Sequence, residues 1–193
     1  MEQATELAAY LPLSFKTPKE QEYIAFLWDA FQSNYENKKY QFAFLAYHML
    51  TMSFVYFNIW QIRQTEPKDF AMGLIGFAKE IEKGLLAATP PFAFSTVNER
   101  SILRFLTLIA CDNSKIGTHA KLVDDRNESA YPNGNIFFST EAALDIKITE
   151  ILRVVDEIQT RLGRRSAWRH CGFSHGSSHR TFQLTIAVLQ NAE

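Results

Sequence analysis

The residues whose types and spacing best suit a chemical role lie between Arg126 and Gly134. Arg126 and Asn127 are followed by Tyr131, five positions after the arginine, and then by Pro132-Asn133-Gly134. An arginine stays charged at neutral pH, and its planar guanidinium pairs with phosphate through two hydrogen bonds. Proline, asparagine and glycine together are strong helix-ending residues. The segment therefore predicts an anion-binding side chain close to the end of a helix.

This segment resembles the signature of the HEPN-family ribonucleases, in which an arginine, a polar residue and three further positions precede a histidine. Tyr131 stands where that histidine would be. The resemblance implies that Arg126 binds the phosphate, that Asn127 orients it, and that Pro132 to Gly134 fold residue 131 back beside Arg126. It also implies a metal-independent endoribonuclease of a toxin–antitoxin or antiviral defence system. The expected products are a 2′,3′-cyclic phosphate and a 5′-hydroxyl.

The resemblance further implies an all-α fold, an antiparallel HEPN-like bundle of about five helices. Members of the family usually pair, so that two motifs face one cleft, and we therefore expect a homodimer that contacts RNA. A protein inhibitor or antitoxin is a further expected partner. No cofactor and no metal are expected, because the cleavage needs only a base, a fixed positive charge and a hydrogen-bond donor.

Tyr131 alters the chemistry expected of this motif. A phenol has a pKa of about 10 against about 6.5 for an imidazole, so about one phenol in a thousand is ionised at pH 7. We therefore expect little or no cleavage. Three explanations stay open: a natural family member that only binds, another residue acting as base, or a substitution that silences a toxic enzyme. A fourth interpretation is that this segment is an ordinary solvent-exposed stretch without a function, in which Asp124, Asp125 or Glu128 pairs with Arg126.

Other histidines offer weaker candidates. His119 lies seven residues before Arg126, on the same helix face. His48 sits inside an apolar stretch, where a buried histidine bonded to a neighbouring hydroxyl is expected. A further cluster consists of His170, Cys171, His175 and His179. It has few features of a metal site, because glycines and serines interrupt it and no carboxylate lies nearby in the sequence.

A basic segment near the C-terminus predicts RNA contact, because arginines beside an aromatic ring suit a nucleic-acid surface. The candidate RNA-binding residues are Arg164, Arg165, Trp168, Arg169 and Arg180. The net charge of the whole chain is only −1, so any nucleic-acid binding must come from such a local patch.

The chain of 193 residues, 47% of them hydrophobic and 16 of them phenylalanine, suits one domain with an aromatic-rich core. Two cysteines give no disulfide framework, and residues 1–10 contain no basic residue, which is wrong for a secretory signal. A cytoplasmic location follows as an expectation. We expect residues 1–193 to form a single domain, with residues 161–193 as a short, irregular basic tail, packed on the bundle or solvated.

Helical patterns dominate the chain. Thr17-Pro18-Lys19-Glu20 predicts a capping box at the start of a helix. Residues 41–62 lack Lys, Arg, Asp and Glu, which predicts a buried central helix. A membrane span is the alternative for this stretch. A third helix is predicted from Phe70 to Leu85, and Thr96 to Glu99 suggests a second capping box. Leu144 to Leu162 carry one apolar seam that Gly163 is expected to end. Used to bind a partner, that face would make the chain a non-catalytic helical protein-interaction module.

Overall fold

The computed structural model describes residues 2–11, 17–88, 91–105, 113–132 and 134–170, and these residues form helices without strands. The all-α prediction is confirmed, whereas the predicted count of about five helices is not. Two 3₁₀ helices span Glu2–Ala9 and Pro91–Thr96. The α-helices are α1 (Pro18–Glu36), α2 (Tyr40–Thr65), α3 (Pro67–Gly73), α4 (Lys79–Ala87), α5 (Glu99–Phe105), α6 (Asn113–Ala130) and α7 (Glu141–His170).

Helix α1 begins at the predicted capping box. The Glu20 backbone N–H donates to the Thr17 hydroxyl oxygen at 3.3 Å, and the Thr17 N–H donates to the Glu20 carboxylate at 3.1 Å. Pro18 occupies the first turn, where its missing N–H costs nothing. The start of the first helix is therefore confirmed.

Helix α2 is the centre of the fold, because α1, α3, α5, α6, α7 and the second 3₁₀ helix all pack against it. Phe44, Tyr47 and Phe54 are fully buried along it, so the predicted aromatic core is confirmed. Its buried Thr51 and Asn58 side chains donate to carbonyls one turn back, which satisfies them without outside partners. By length and composition α2 could cross a membrane, but 83% of its most apolar stretch is buried inside this chain.

The single helix predicted from Phe70 to Leu85 is wrong, since α3 and α4 are separated by a turn. Gly76 in this turn has a φ of +87°, a left-handed conformation that favours glycine. Phe70, Leu74 and Leu85 are nevertheless buried, as their spacing predicts. The apolar spacing therefore predicted the buried face correctly, but it did not reveal the break between α3 and α4 at Gly76.

Helix α7 follows α6, and the described residues between them, 131–132 and 134–140, are not helical. Leu144, Ile148, Ile151, Val155 and Ile158 are at most 1% exposed, so the predicted seam is a packed face. This face packs on α2 and on the N-terminal 3₁₀ helix, and a partner protein cannot reach it. The predicted end at Gly163 is wrong, because α7 continues to His170. A glycine inside a helix costs only about 1 kcal/mol, which a long helix tolerates.

Candidate functional site

A mostly buried carboxylate joins three helices at the position of the sequence motif. Glu99, the first residue of α5, lies between His48 of α2 and Arg126 of α6. One carboxylate oxygen of Glu99 is 3.0 Å from His48 Nε2, and the other is 2.9 Å from Arg126 Nη2. We call these three residues the Glu99 cluster. The cluster fixes one edge of the Arg126 guanidinium to the core of the bundle.

The start of α5 explains why the Glu99 side chain points inward. Asn98 caps this helix, with its side-chain oxygen accepting from the Ser101 N–H at 2.8 Å. The Thr96 hydroxyl instead donates to the Ala93 carbonyl at 2.9 Å. The capping box predicted from Thr96 and Glu99 is therefore wrong. Because Asn98 takes the capping role, Glu99 is available to the cluster.

The cluster keeps Glu99 ionised. Burial alone would raise the pKa of this carboxyl, but the hydrogen bonds and positive charges of His48 and Arg126 outweigh burial and hold the pKa below its ordinary value. Tyr56 of α2 lies close enough to respond to the same charges. Burial and the negative charge of Glu99 raise the pKa of the Tyr56 phenol, while Arg126 acts in the opposite direction. The phenol of Tyr56 therefore stays protonated at neutral pH.

His48 has a carboxylate partner rather than the hydroxyl expected from the sequence. Its side chain is 2% exposed, and its Nε2 faces Glu99. Its Nδ1 has no hydrogen-bond partner among the described residues. His48 is thus an imidazole that the fold brings to the motif. It is too deeply buried in this conformation to take a proton from a ribose hydroxyl.

Two of the three acidic neighbours of Arg126 in the sequence, Asp124 and Asp125, pair with other cations. Asp124 pairs with Arg100 at the surface, and Asp125 lies 2.9 Å from Lys147 of α7. The expected competition from these two carboxylates is therefore absent, and Glu99, which is distant in sequence, takes their place. The Arg126 side chain remains 29% exposed, so part of it reaches the surface. Asn127 is half-buried beside it.

Tyr131 lies just beyond the end of α6, as the proline and glycine after it predict. Its backbone N–H donates to the Asn127 carbonyl at 3.0 Å, which continues the helical bonding through residue 131. Residues five apart on such a path differ by about 140° around the axis. The Tyr131 side chain is 65% exposed. Within the described residues, no hydrogen bond connects this phenol to Arg126, so the expected approach of residue 131 to the arginine is not seen in this conformation.

Gln41 fixes the end of α6 and the loop that follows. Its side-chain nitrogen donates to the Ser129 carbonyl at 2.7 Å, and its oxygen accepts from the Phe137 N–H at 3.0 Å. The sequence did not indicate this role of Gln41, and it indicated Glu99 only as part of a capping box. A signal for Glu99 did exist, because a histidine inside an apolar helix requires a polar partner.

The predicted basic surface is described only in part. Arg164, Arg165, Trp168 and Arg169 belong to the last turns of α7, and Arg180 lies outside the described residues. His119 is a residue of α6, and His170 is the last residue of α7. Cys171, His175 and His179 also lie outside the described residues. In the part of the chain that the structure describes, no group of three metal-ligating side chains occurs.

Comparison with known proteins gives no relative: no protein-family model, no curated protein and no solved structure matches this chain.

Proposed function

We propose that the protein is a HEPN-like RNA-binding protein whose site is that of a metal-independent endoribonuclease, with cleavage lost or strongly impaired because Tyr131 holds the position of the base. The observation that supports this proposal is the Glu99 cluster. It anchors Arg126, the motif residue assigned to the phosphate, while leaving part of its side chain at the surface.

The anchored guanidinium suits phosphate because it is held in one orientation before the ligand arrives. A guanidinium carries five N–H donors, and Glu99 engages one of the terminal nitrogens. The remaining donors can form the two parallel hydrogen bonds that phosphate accepts. Glu99 balances the charge of Arg126, so the proposed contact depends on directed hydrogen bonds more than on net charge. Asn127, one residue further along α6, supplies a further polar group.

Tyr131 retains two possible uses in such a site. Its exposed phenol can donate a hydrogen bond to a phosphate oxygen, or its ring can stack on a base, which contributes about 1–3 kcal/mol per base. Neither use requires ionisation. The same proposal includes a homodimer that brings two Arg126 residues to one cleft, a cytoplasmic location, and a place in a toxin–antitoxin or antiviral defence system with a protein inhibitor.

The interaction-module alternative used the face from Leu144 to Leu162. From Leu144 to Ile158 that face is buried in the core of this chain, so it is not available to a partner.

RNA binding tests the proposal most simply. We expect Arg126→Ala to weaken binding of a labelled single-stranded RNA about 10- to 100-fold, the equivalent of one charge-assisted hydrogen-bonded contact of about 1.5–3 kcal/mol. Arg126→Lys preserves the charge and the Glu99 pair but lacks the fork, and it should also bind more weakly. Arg100→Ala is the matched control, because Arg100 also pairs with a carboxylate but is 57% exposed. Equal affinities of Arg126→Ala and wild type, measured by fluorescence anisotropy, would rule the proposal out.

A further inference from the structure

A groove lies between helices α6 and α7. Asp125 of α6 is 2.9 Å from Lys147 of α7. The groove is lined by Gly117, Lys121 and Asp125 of α6 and by Glu150, Arg153 and Val154 of α7. The groove has a volume of about 450 Å³. That is the size of a small-ligand site, too small for a duplex but enough for part of a single strand.

The rim of the groove carries two cations that are free of carboxylates. Lys121 and Arg153 are both exposed, one from each helix, and neither forms an ion pair within the described ranges. Leu122 and Val154 are each 7% exposed and form an apolar floor between them. A cationic rim over an apolar floor suits a ligand with anionic and apolar faces, such as the sugar–phosphate chain of RNA.

The carboxylates of the groove are already engaged. Lys147 lies 2.9 Å from Asp125 and 2.6 Å from Glu150. Burial would lower the pKa of Lys147, but the hydrogen bonds and charges of Glu150 and Asp125 raise it, so this lysine stays charged. With Lys121 and Arg153 included, the groove holds three cations and two carboxylates and has a net positive charge.

The groove connects two regions that the sequence associates with RNA. At one end Asp125 immediately precedes Arg126 in α6. Beyond the groove, α7 continues into the basic segment that begins at Arg164, which follows Arg153 by 11 residues. Eleven residues make three turns of an α-helix to within about 20°, so these two positions lie on the same side of the helix axis. A strand lying in the groove would thus run between Arg126 and the basic end of α7.

We propose that the α6–α7 groove binds the backbone of single-stranded RNA, with Lys121 and Arg153 each contacting a phosphate. This proposal rests on the proposed function and names a second, separate contact surface for the same ligand.

The test is the salt dependence of binding to a labelled single-stranded RNA of about 12 nucleotides. Affinity falls as salt rises, and each phosphate contact on a single strand adds about 0.7 to the steepness of log affinity against log salt. The double variant Lys121→Glu/Arg153→Glu removes two such contacts, so it should make the dependence less steep by about 1.4 and weaken binding. The control Lys19→Glu/Lys68→Glu makes the same change of net charge at exposed sites on α1 and α3. It should leave the slope unchanged.

The outcomes separate this proposal from the proposed function. If the groove variant matches its control while Arg126→Ala loses affinity, the groove proposal is wrong and the proposed function survives. If the groove variant loses affinity and Arg126→Ala does not, the groove is right and the role of Arg126 is wrong. Competition by free UMP at the same nucleotide concentration would instead make the groove a mononucleotide pocket and overturn the proposal. Absence of any RNA binding by the wild type would overturn both.

Discussion

Removing the charge of Glu99 should destabilise the whole bundle. In Glu99→Gln the amide leaves Arg126 without a counter-charge and removes the carboxylate partner of the buried His48. Breaking a buried ion pair by removing one partner costs about 3–5 kcal/mol. The His48 side chain is 2% exposed, Glu99 19% and Arg126 29%, so the environment is mostly but not fully desolvated. We therefore expect the lower end of that range, about 3 kcal/mol.

Urea unfolding followed by circular dichroism measures this loss. With a slope of about 2 kcal/mol per molar urea, a loss of about 3 kcal/mol lowers the unfolding midpoint by about 1.5 M. Asp124→Asn is the matched control, because it removes a carboxylate from the exposed pair with Arg100. Exposed pairs contribute at most about 1 kcal/mol. If Glu99→Gln changes the free energy of unfolding no more than this control, the cluster is not a structural anchor and the reasoning fails.

The pH dependence of the same comparison has a definite sign. The pKa of Glu99 is lower in the folded chain than in the unfolded chain. Its stabilisation is therefore complete above the ordinary glutamate pKa of about 4.3 and is lost as pH falls through the lower folded value. The comparison is made with His48 in place, because its hydrogen bond and its electrostatic attraction come first among the contributions that lower the pKa of Glu99. The stability lost through Glu99→Gln should shrink as pH falls below about 4. A loss that keeps growing below about pH 4 would contradict the assigned shift.

Three further perturbations test the fold around the site. Thr17→Ala should cost about 1 kcal/mol in urea unfolding, because it removes the cap of α1, whereas Thr17→Ser should be nearly neutral. Ile151→Ala should cost about 2–5 kcal/mol, because Ile151 is fully buried in the α7 seam; a loss below about 1 kcal/mol would mean that this face is not packed. Gly76→Ala should lower the thermal midpoint, since its φ of +87° strains any other residue, and an unchanged midpoint would contradict the assigned turn.

The sequence predicted those features whose partners are local. The capping box of α1 needed only Thr17 and Glu20, and both partners lie within one helical turn. The buried character of α2 followed from an uncharged run of more than 20 residues, and the α7 seam followed from its spacing. Only distant packing decides whether a seam meets the same chain or a partner, so that question remained open until the fold was known.

Glu99 shows why the site was only partly predictable. In sequence it has the same relation to Thr96 as Glu20 has to Thr17, and both pairs indicate a capping box. In the structure Glu99 pairs with His48 and Arg126 instead of capping its own helix. These two partners are 51 and 27 residues away in the sequence. Two distant partners in a mostly buried setting outweigh one local hydrogen bond, and no local pattern contains that information.

Cleavage by the Tyr131→His variant is the most direct measurement of what this site is. The purified variant is incubated with total cellular RNA and a metal chelator, and the fragment ends are identified. We expect fragments with 2′,3′-cyclic phosphates from Tyr131→His, and none from wild type or from Tyr131→His combined with Arg126→Ala. If Tyr131→His stays inactive while its fold is intact, or if it cuts equally well without Arg126, the assignment of this segment as a ribonuclease motif is wrong.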